Sequence, residues 1–377
     1  MGSVPEEMTA RRPRHGGKKL WIVVGAIVIA AAIIGYGAVA GWFSSAPITL
    51  VGAGATFPYP LISKWSSEYA KNRTGVRVNY QSIGSGAGVA QITAKTVDFA
   101  GTDAPLRPSE RAAAPGLLHI PETIGAVTAA YNLPGIPSGL NLTGRVLGDI
   151  FLGTVTSWND ASITALNPNV TFPSNPISVV HRSDGSGTTF VWTSYLHLGN
   201  PGWNTSLVGK APNWPVGIGK PGNAGVAGYI LQMPYTLGYV ELAYTVQNSM
   251  KVAGIQNPAG YFVLPTLAAT TAAASSASSF PSADGDWGNM SILNAAGATS
   301  YPISSFTYLL VYKELNVIGP SMTQVKAQAL VDFLWWAIHE GQAYAPPLVY
   351  APLPPTVVTL DELGLQSITF NGQTLHT

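Results

Sequence analysis

A short apolar segment, a glycine-rich turn and a helical segment follow one another in residues 48–69, which read ITLVGAGATFPYPLISKWSSEY. Ile48–Val51 has the composition of a short strand. Apolar residues after Pro58 then recur at the three- and four-residue spacing of a helix. The same order of segments returns further along the chain, and this alternation predicts an α/β fold.

Beyond this unit, we predict further strands and helices. The predicted strands are Ile48–Val51, Arg77–Tyr80, Val97–Ala100, Ile177–Val180, Leu237–Tyr239 and Phe306–Tyr312. The predicted helices are Pro58–Tyr69, Val89–Lys95, Thr188–Leu196, Gly225–Met233 and Val325–Ile338. Residues 266–279 are almost wholly Ala, Thr and Ser, and we predict a helix there rather than a flexible linker, because the segment contains no glycine.

The composition limits the possible functions. Charged residues make up 10% of the 377 residues, the net charge is +1 and cysteine is absent. An ordinary soluble domain carries about 25% charged residues. Such a chain has no basic face for nucleic acid, and the absence of cysteine excludes disulfides, thiol catalysis and cysteine-ligated metals. The hydrophobic fraction of 46% is sufficient for a sizeable core.

The N-terminal region predicts a membrane segment. Residues 1–19 are basic, and residues 20–43 form an uncharged run with tryptophan near both ends. As a helix this run would span about 36 Å, against about 30 Å of bilayer hydrocarbon. We predict a transmembrane helix or signal anchor at 20–43 that keeps 1–19 in the cytoplasm and places the rest of the chain outside. The alternative is a signal peptide cleaved after Ala38-Val39-Ala40, followed by secretion.

Enzymatic motifs are missing from the sequence. The six histidines show no metal-ligand spacing, and neither a G-x-S-x-G elbow nor a P-loop occurs. Ser186 and His181 are the pair considered for nucleophilic catalysis. A serine in a glycine-rich turn more often shapes the backbone or forms a hydrogen bond. We therefore predict that the protein is not an enzyme and has neither a cofactor nor a metal.

Glycine-rich turns instead predict an anion site. Three of them join a strand to a helix and end in Ser or Thr at the predicted helix start: residues 54–57, 84–86 and 185–188. Helix N-termini present unpaired N–H groups, and glycine allows a close approach of the backbone. Each turn alone is weak evidence, because Ser and Thr are also ordinary helix caps.

Two charged residues strengthen this interpretation. Arg182 stands four residues before Ser186 and has the geometry for a bidentate bond to an oxyanion. Asp103 follows a predicted strand and could accept a proton-bearing group of the ligand. Its alternative role is an N-cap or Asx-turn before Pro105.

At these residues the sequence resembles a known family. Residues 51–58 (VGAGATFP), 80–86 (YQSIGSG), 97–106 (VDFAGTDAPL), 182–190 (RSDGSGTTF) and 238–241 (GYVE) resemble the phosphate-binding protein of phosphate ABC transporters, in order and spacing. The resemblance implies a two-lobed, type II periplasmic-binding-protein fold with hinge crossovers near Thr123–Val127 and Tyr301–Ser304. We then expect one lobe at 46–125 plus 301–377 and the other at 126–300.

The resemblance also implies a set of ligand contacts. Phosphate would be held by Thr56, Phe57, Ser85, Asp103, Arg182, Ser186, Gly187 and Thr188, with Phe57 and Gly187 acting through their main-chain N–H groups. Asp184 would pair with Arg182 and orient it. The lipid-attachment cysteine seen at the N-terminus of many such receptors is absent from this sequence, which instead has the run at 20–43.

The expected function is therefore that of an exported, membrane-anchored receptor that binds inorganic phosphate and delivers it to an ABC permease. Three alternatives stay open: a receptor for another tetrahedral oxyanion such as sulfate or molybdate, an exported phosphatase, and a surface structural protein that reuses the fold. Asp103 argues against the first, and the missing metal ligands and nucleophile–base pair argue against the second.

Overall fold

The computed structural model describes residues 1–2, 47–277 and 279–375. The chain divides into two compact units, Met1–Pro47 and Ile48–Thr377, and the fold below is that of the second unit. The predicted membrane helix at 20–43, together with residues 3–19, lies outside the described residues. Within the described ranges, no helix combines the length and apolar character needed to cross a bilayer.

The strands of the described chain alternate with helices through most of its length. The strands are β1 (Ile48–Gly54), β2 (Val76–Ser82), β3 (Phe99–Thr102), β4 (Leu117–Asn132), β5 (Asn141–Leu142), β6 (Ser178–Arg182), β7 (Ile218–Lys220), β8 (Thr236–Glu241), β9 (Lys251–Val252), β10 (Gly254–Gln256), β11 (Phe262–Val263), β12 (Ser304–Tyr312), β13 (Thr369–Phe370) and β14 (Gln373–Thr374).

The helices cover the strands and supply the first turns that matter below. They are α1 (Tyr59–Asn72), α2 (Ser85–Thr93), α3 (Pro108–Ala113), α4 (Gly144–Leu152), α5 (Ala161–Thr164), α6 (Gly187–Gly199), α7 (Gly222–Gln232), α8 (Leu242–Gln247), α9 (Leu267–Ala274), α10 (Gln324–Ile338) and α11 (Pro355–Gln366). Short 3₁₀ helices lie at Thr205–Leu207, Trp287–Asn289, Leu315–Ile318, Glu340–Tyr344 and Pro346–Leu348.

One nine-stranded sheet organises the described chain, in the order β2-β1-β3-β12-β4-β8-β6-β7, with β9 also paired to β4. Strand β1 runs parallel to β2 and β3, and β6 runs parallel to β7 and β8. Strands β4 and β12 run antiparallel to their neighbours. The parallel strands are the ones that the glycine-rich turns follow.

Strand β4 lies in the middle of this sheet and takes part in both of its halves. Its residues 117–126 pair with β12, and its residues 127–132 pair with β8. We name β2, β1, β3, β12 and the first part of β4 the first half-sheet. The second part of β4 with β8, β6, β7 and β9 is the second half-sheet. The two half-sheets carry the two lobes of a mixed α/β fold, so the predicted α/β class is confirmed.

The structure refines several predicted bounds. Helix α2 begins at Ser85, four residues before the predicted start, because Gly84 makes the turn with a φ of +93°. Helix α1 begins at Tyr59 after Pro58, so the prediction that Thr56 lies at a helix start is wrong. The Ala-rich segment forms α9, where the Thr266 hydroxyl accepts a hydrogen bond from the N–H of Ala269 at 3.1 Å.

Candidate functional site

The glycine-rich turns of the two half-sheets meet at one place. Strands β1 and β3 of the first half-sheet and β6 of the second end there, and the ends of parallel strands are the usual location of ligand sites in α/β folds. The predicted site side chains are at most 4% exposed: Thr56, Phe57, Ser85, Asp103, Arg182, Ser186 and Thr188. The structure thus gathers residues that lie more than a hundred positions apart in the sequence.

Ser85 joins the two halves directly. Its hydroxyl oxygen accepts hydrogen bonds from the N–H of Gly187 at 3.0 Å and from the N–H of Asp103 at 3.3 Å. Beside it, the N–H of Gly86 donates to the carbonyl oxygen of Gly185 at 2.7 Å. A methyl group on Gly187 would lie 2.6 Å from both the Asp103 and Ser85 side chains, so this close approach requires glycine.

Arg182 is the buried cation of the site. Its Nε and Nη2 atoms donate to the two carboxylate oxygens of Asp184 at 2.8 and 2.5 Å, which is the predicted pairing. Its Nη1 atom donates to the Thr188 hydroxyl at 3.4 Å. Burial acts to raise the pKa of Asp184, but the bonds and charge of Arg182 outweigh it and lower that pKa. The bidentate pair fixes the guanidinium plane while Nη1 stays directed at Thr188.

Asp103 contacts the same Thr188 hydroxyl from the side of the first half-sheet. Its two carboxylate oxygens accept from the hydroxyls of Thr307 at 3.1 Å and Thr188 at 3.3 Å. Burial raises the pKa of this carboxyl to about 7, although Arg182 and the two hydroxyls act to lower it. The proposed N-cap role before Pro105 is wrong, because α3 is capped by Arg107 instead. Each carboxylate oxygen of Asp103 therefore already accepts one hydrogen bond from a threonine hydroxyl.

The start of helix α6 carries the next group of predicted residues. Ser186 caps this helix, since its hydroxyl oxygen accepts from the N–H of Thr189 at 3.1 Å. Its hydroxyl proton remains available for donation. Gly187 and Thr188 form the first helical turn, where N–H groups have no partner within the helix. The positive end of the α6 helix dipole therefore lies beside the Arg182 guanidinium, where both favour an anion.

Thr56 is held by a residue that the sequence analysis did not identify. Its hydroxyl oxygen accepts from the Nδ2 atom of Asn223 at 2.9 Å and from the N–H of Asn223 at 3.2 Å. The same Nδ2 atom donates to the Thr188 hydroxyl at 3.1 Å. Asn223 lies in the first turn of α7, after Pro221-Gly222. A fourth glycine-containing helix start was the signal that could have pointed to it.

The main chain around Phe57 is oriented by two tyrosines. The hydroxyl of Tyr244 donates to the carbonyl oxygen of Thr56 at 2.6 Å, and the hydroxyl of Tyr350 donates to that of Phe57 at 2.7 Å. Among the described residues, the N–H groups of Thr56 and Phe57 have no hydrogen-bond partner. Next to Thr56 lies a cavity of about 500 Å³, which Asp184 and Tyr244 also line.

Two buried glutamates near the site were also missed. Glu122 of β4 and Glu241 of β8 are fully buried, and burial is the main cause that raises the pKa of each well above its ordinary value. The Glu241 carboxyl group accepts from the N–H of Ala243 at 2.9 Å, and its Oε2 atom lies 3.1 Å from the Tyr350 hydroxyl oxygen, whose single proton is donated to Phe57. No local pattern distinguishes a buried glutamate in a strand from an exposed one.

His181, which the sequence analysis considered as a base for Ser186, has other partners in the structure. His181 stacks on Trp214 with ring centroids 4.8 Å apart, and its Nδ1 atom lies 2.9 Å from the Arg182 carbonyl oxygen. No hydrogen bond joins it to Ser186 in the part of the chain that is described. Over the same residues, no group of three or more His, Asp or Glu side chains is placed to hold a metal ion.

Comparison with known proteins places this chain in a family. A family model described as a PBP superfamily domain matches residues 43–339. The phosphate-binding protein PstS of Pasteurella multocida is 45% identical over 312 residues, covering 82% of this chain and 88% of that protein. The PstS protein of Methanocaldococcus jannaschii is 38% identical over 305 residues, covering 77% of this chain and 78% of that protein.

Solved structures share the fold at lower identity. A high-affinity periplasmic phosphate-binding protein bound with phosphate superposes with a TM-score of 0.65 at 21% identity, covering 82% of this chain and 92% of that one. A putative phosphate ABC transporter substrate-binding protein from Clostridium perfringens gives 0.58 at 16% identity, covering 81% and 100%. These relatives are binding proteins and not enzymes. The chain thus belongs to the periplasmic-binding-protein superfamily and, within it, to the family of phosphate-binding proteins of phosphate ABC transporters.

Proposed function

We propose that this protein is a receptor that binds inorganic phosphate where the two half-sheets meet. One observation carries the proposal: Arg182, fixed by Asp184, and Asp103 converge on the same threonine hydroxyl from opposite half-sheets. A cation with fixed donors suits an oxyanion, and a nearby carboxylate suits an oxyanion that still carries a proton. Phosphate near neutral pH meets both conditions.

We assign ligand contacts to the residues that the sequence identified. Phosphate oxygens would accept from the hydroxyls of Thr56, Ser85, Ser186 and Thr188, from the N–H groups of Thr56, Phe57 and Gly187, and from Arg182. Asp103 would accept the phosphate proton, and Asp184 would act through Arg182. The support is the burial of every residue that is assigned a direct contact and the unpartnered N–H groups of Thr56 and Phe57.

Binding has to exchange contacts that the site groups now make with one another. The Ser85–Gly187 and Thr188–Asp103 hydrogen bonds join the two half-sheets, as does the Asn223–Thr56 bond. An opening of the lobes would break them, and phosphate would replace them on closure. We place one hinge crossover within Thr123–Val127, where β4 changes partner, and the other within Tyr301–Ser304, with lobes at 46–125 plus 301–377 and at 126–300.

The location and partner of the receptor are further parts of the proposal. The basic segment 1–19 and the uncharged run 20–43 support a single membrane anchor with the binding unit outside the cell. An anchored receptor would deliver phosphate to an ABC permease in the same membrane. N-terminal sequencing of the native protein tests the anchor, because a mature protein that begins near Gly41 would show a cleaved signal peptide.

Calorimetric titration of the full-length protein in detergent tests the binding proposal. We expect one phosphate to bind with a dissociation constant in the micromolar range or below, which corresponds to about 8 kcal/mol or more. Sulfate and molybdate should compete poorly. The matched control is Arg145→Ala, since Arg145 pairs with Asp149 on the surface and its side chain is 66% exposed. Equal binding of sulfate would overturn the phosphate assignment.

A further inference from the structure

A chain of three oxygen atoms leads from Asp103 into the protein interior. The hydroxyl oxygen of Thr307 lies 3.1 Å from the Oδ1 atom of Asp103 and 3.2 Å from the Oε1 atom of Glu122. All three side chains are at most 1% exposed. Among the described residues, the other carboxylate oxygen of Glu122 has no hydrogen-bond partner.

The number of available protons determines the combined charge of Asp103 and Glu122. Thr307 has a single hydroxyl proton, so it can donate to one of the two carboxyl groups and not to both. The second contact is a hydrogen bond only if that carboxyl group is itself protonated and donates to the Thr307 oxygen. One proton must therefore reside on Asp103 or Glu122, and two buried carboxylates in such proximity could not both be ionised.

The surroundings determine which carboxyl group holds the proton. Asp103 faces the Arg182 guanidinium and accepts from Thr188, and both favour its ionised form. Among the described residues no cation acts on Glu122, whose charged neighbour is Asp103. The other titratable groups around the pair do not change this order: Tyr80 from β2, Glu241 from β8, Tyr244 from α8 and Tyr350. The proton belongs on Glu122.

We propose that Glu122 is a positioning residue that stays protonated and donates to Thr307, which fixes the Thr307 hydroxyl on Asp103 and keeps Asp103 an ionised acceptor. This inference rests on the proposed phosphate function. If Glu122 were ionised, it would take the Thr307 proton, and Asp103 would have to be protonated. Asp103 would then be neutral, with its one proton donated to Thr307, and the negative charge that disfavours sulfate relative to a proton-bearing anion would be lost.

Thr307 also has a competing acceptor, which explains why it needs to be fixed. The carbonyl oxygen of Thr102 lies 3.4 Å from its hydroxyl. A donor at residue 122 engages one lone pair of the Thr307 oxygen and leaves the Thr307 proton for Asp103. Without that donor, the hydroxyl can turn towards Thr102, and one of the two hydrogen bonds on Asp103 is lost.

Infrared difference spectroscopy locates the proton without any ligand. At pH 8 we compare the C=O stretch of protonated carboxyl groups in the full-length wild type, Glu122→Gln and Asp103→Asn, with Glu241→Gln as a control for another buried glutamate. We expect Glu122→Gln to lose a band that Asp103→Asn retains. The proposal is overturned if Asp103→Asn loses that band or if Glu122→Gln keeps it.

Binding measurements then separate positioning from a merely structural role. We expect Glu122→Leu, which has no donor, to reduce the preference for phosphate over sulfate at least about tenfold, the size of one hydrogen bond. Glu122→Gln should restore most of it, because its amide donates to Thr307. Equal losses in both variants would contradict the proposal. Failure of the wild type to bind phosphate would instead refute the proposed function and leave the infrared result valid.

Discussion

The replacement Asp103→Asn should stabilise the protein while it weakens selectivity. Burial raises the pKa of Asp103 from 3.8 to about 7 in the folded protein. Between these pH values the folded state holds a proton that the unfolded chain has lost, so the free energy of unfolding falls as pH rises. Above about pH 7 the free energy of unfolding is lowered by the full amount, and a shift of about three pKa units corresponds to about 4 kcal/mol.

Asparagine removes this charge but keeps one acceptor oxygen for Thr307 or Thr188. We therefore expect a gain below that ceiling, about 1–3 kcal/mol at pH 8, and almost none at pH 4. Urea unfolding of the full-length protein in phosphate-free buffer at both pH values measures it. The control is Asp284→Asn, since Asp284 forms an exposed ion pair with Lys313 and its change should be less than about 1 kcal/mol.

The same variant should lose discrimination among anions. A carboxylate facing sulfate meets only lone pairs, and leaving such a charge unpaired costs about 3–5 kcal/mol, or about 10²–10⁴ in affinity. An amide donates to either anion, so the phosphate preference should fall by up to that factor in a competition with labelled phosphate. A variant that is less stable at pH 8 with unchanged selectivity would refute both arguments, since Asp103 would then be only a structural residue.

Three further predictions concern contacts around the site. Arg182→Ala should weaken phosphate binding by about 2–5 kcal/mol and Asp184→Ala by less, because the carboxylate only orients the cation; calorimetry that finds both variants unchanged would show that the site is misassigned. Lys210→Met removes an ion pair of 2.6 Å between the segment after α6 and Glu110 of α3, which lie in the two proposed lobes, and we expect affinity to fall about three- to tenfold as the closed form is destabilised. Small-angle scattering should show a more open molecule, and unchanged dimensions would argue against the link. Gly187→Ala would place a methyl group 2.6 Å from side chains across the junction, so phosphate binding should drop at least about tenfold, and wild-type binding would contradict the packing.

Much of the fold was accessible from the sequence because its strands and helices carry strong local signals. Strand β12 and helix α10 were predicted within two residues, since both are long apolar or amphipathic runs. The start of α2 was missed because Gly84–Gly88 reads as a turn. A methyl group on Gly88 would lie 2.5 Å from Gly54, so that glycine serves helix–strand packing.

The site was only partly accessible, for a different reason. Arg182, Asp184 and the turn residues stand in short motifs whose chemistry is visible locally. Glu122 and Thr307 show no such motif, because the property that matters is their burial beside Asp103, and pairing between β4 and β12 creates it. A single sequence contains the residues of such a contact and not the contact itself.

We propose above that Arg182, Asp103 and the glycine-rich turns of the two half-sheets together hold one protonated tetrahedral oxyanion. A crystal structure of the full-length protein grown with arsenate tests it most directly, since arsenate carries protons as phosphate does and arsenic is located by anomalous scattering. We predict a single strong arsenic peak within hydrogen-bonded reach of Arg182, Ser85 and Asp103. A peak elsewhere, or no peak in crystals of protein that binds phosphate in solution, would show that the anion site is misassigned.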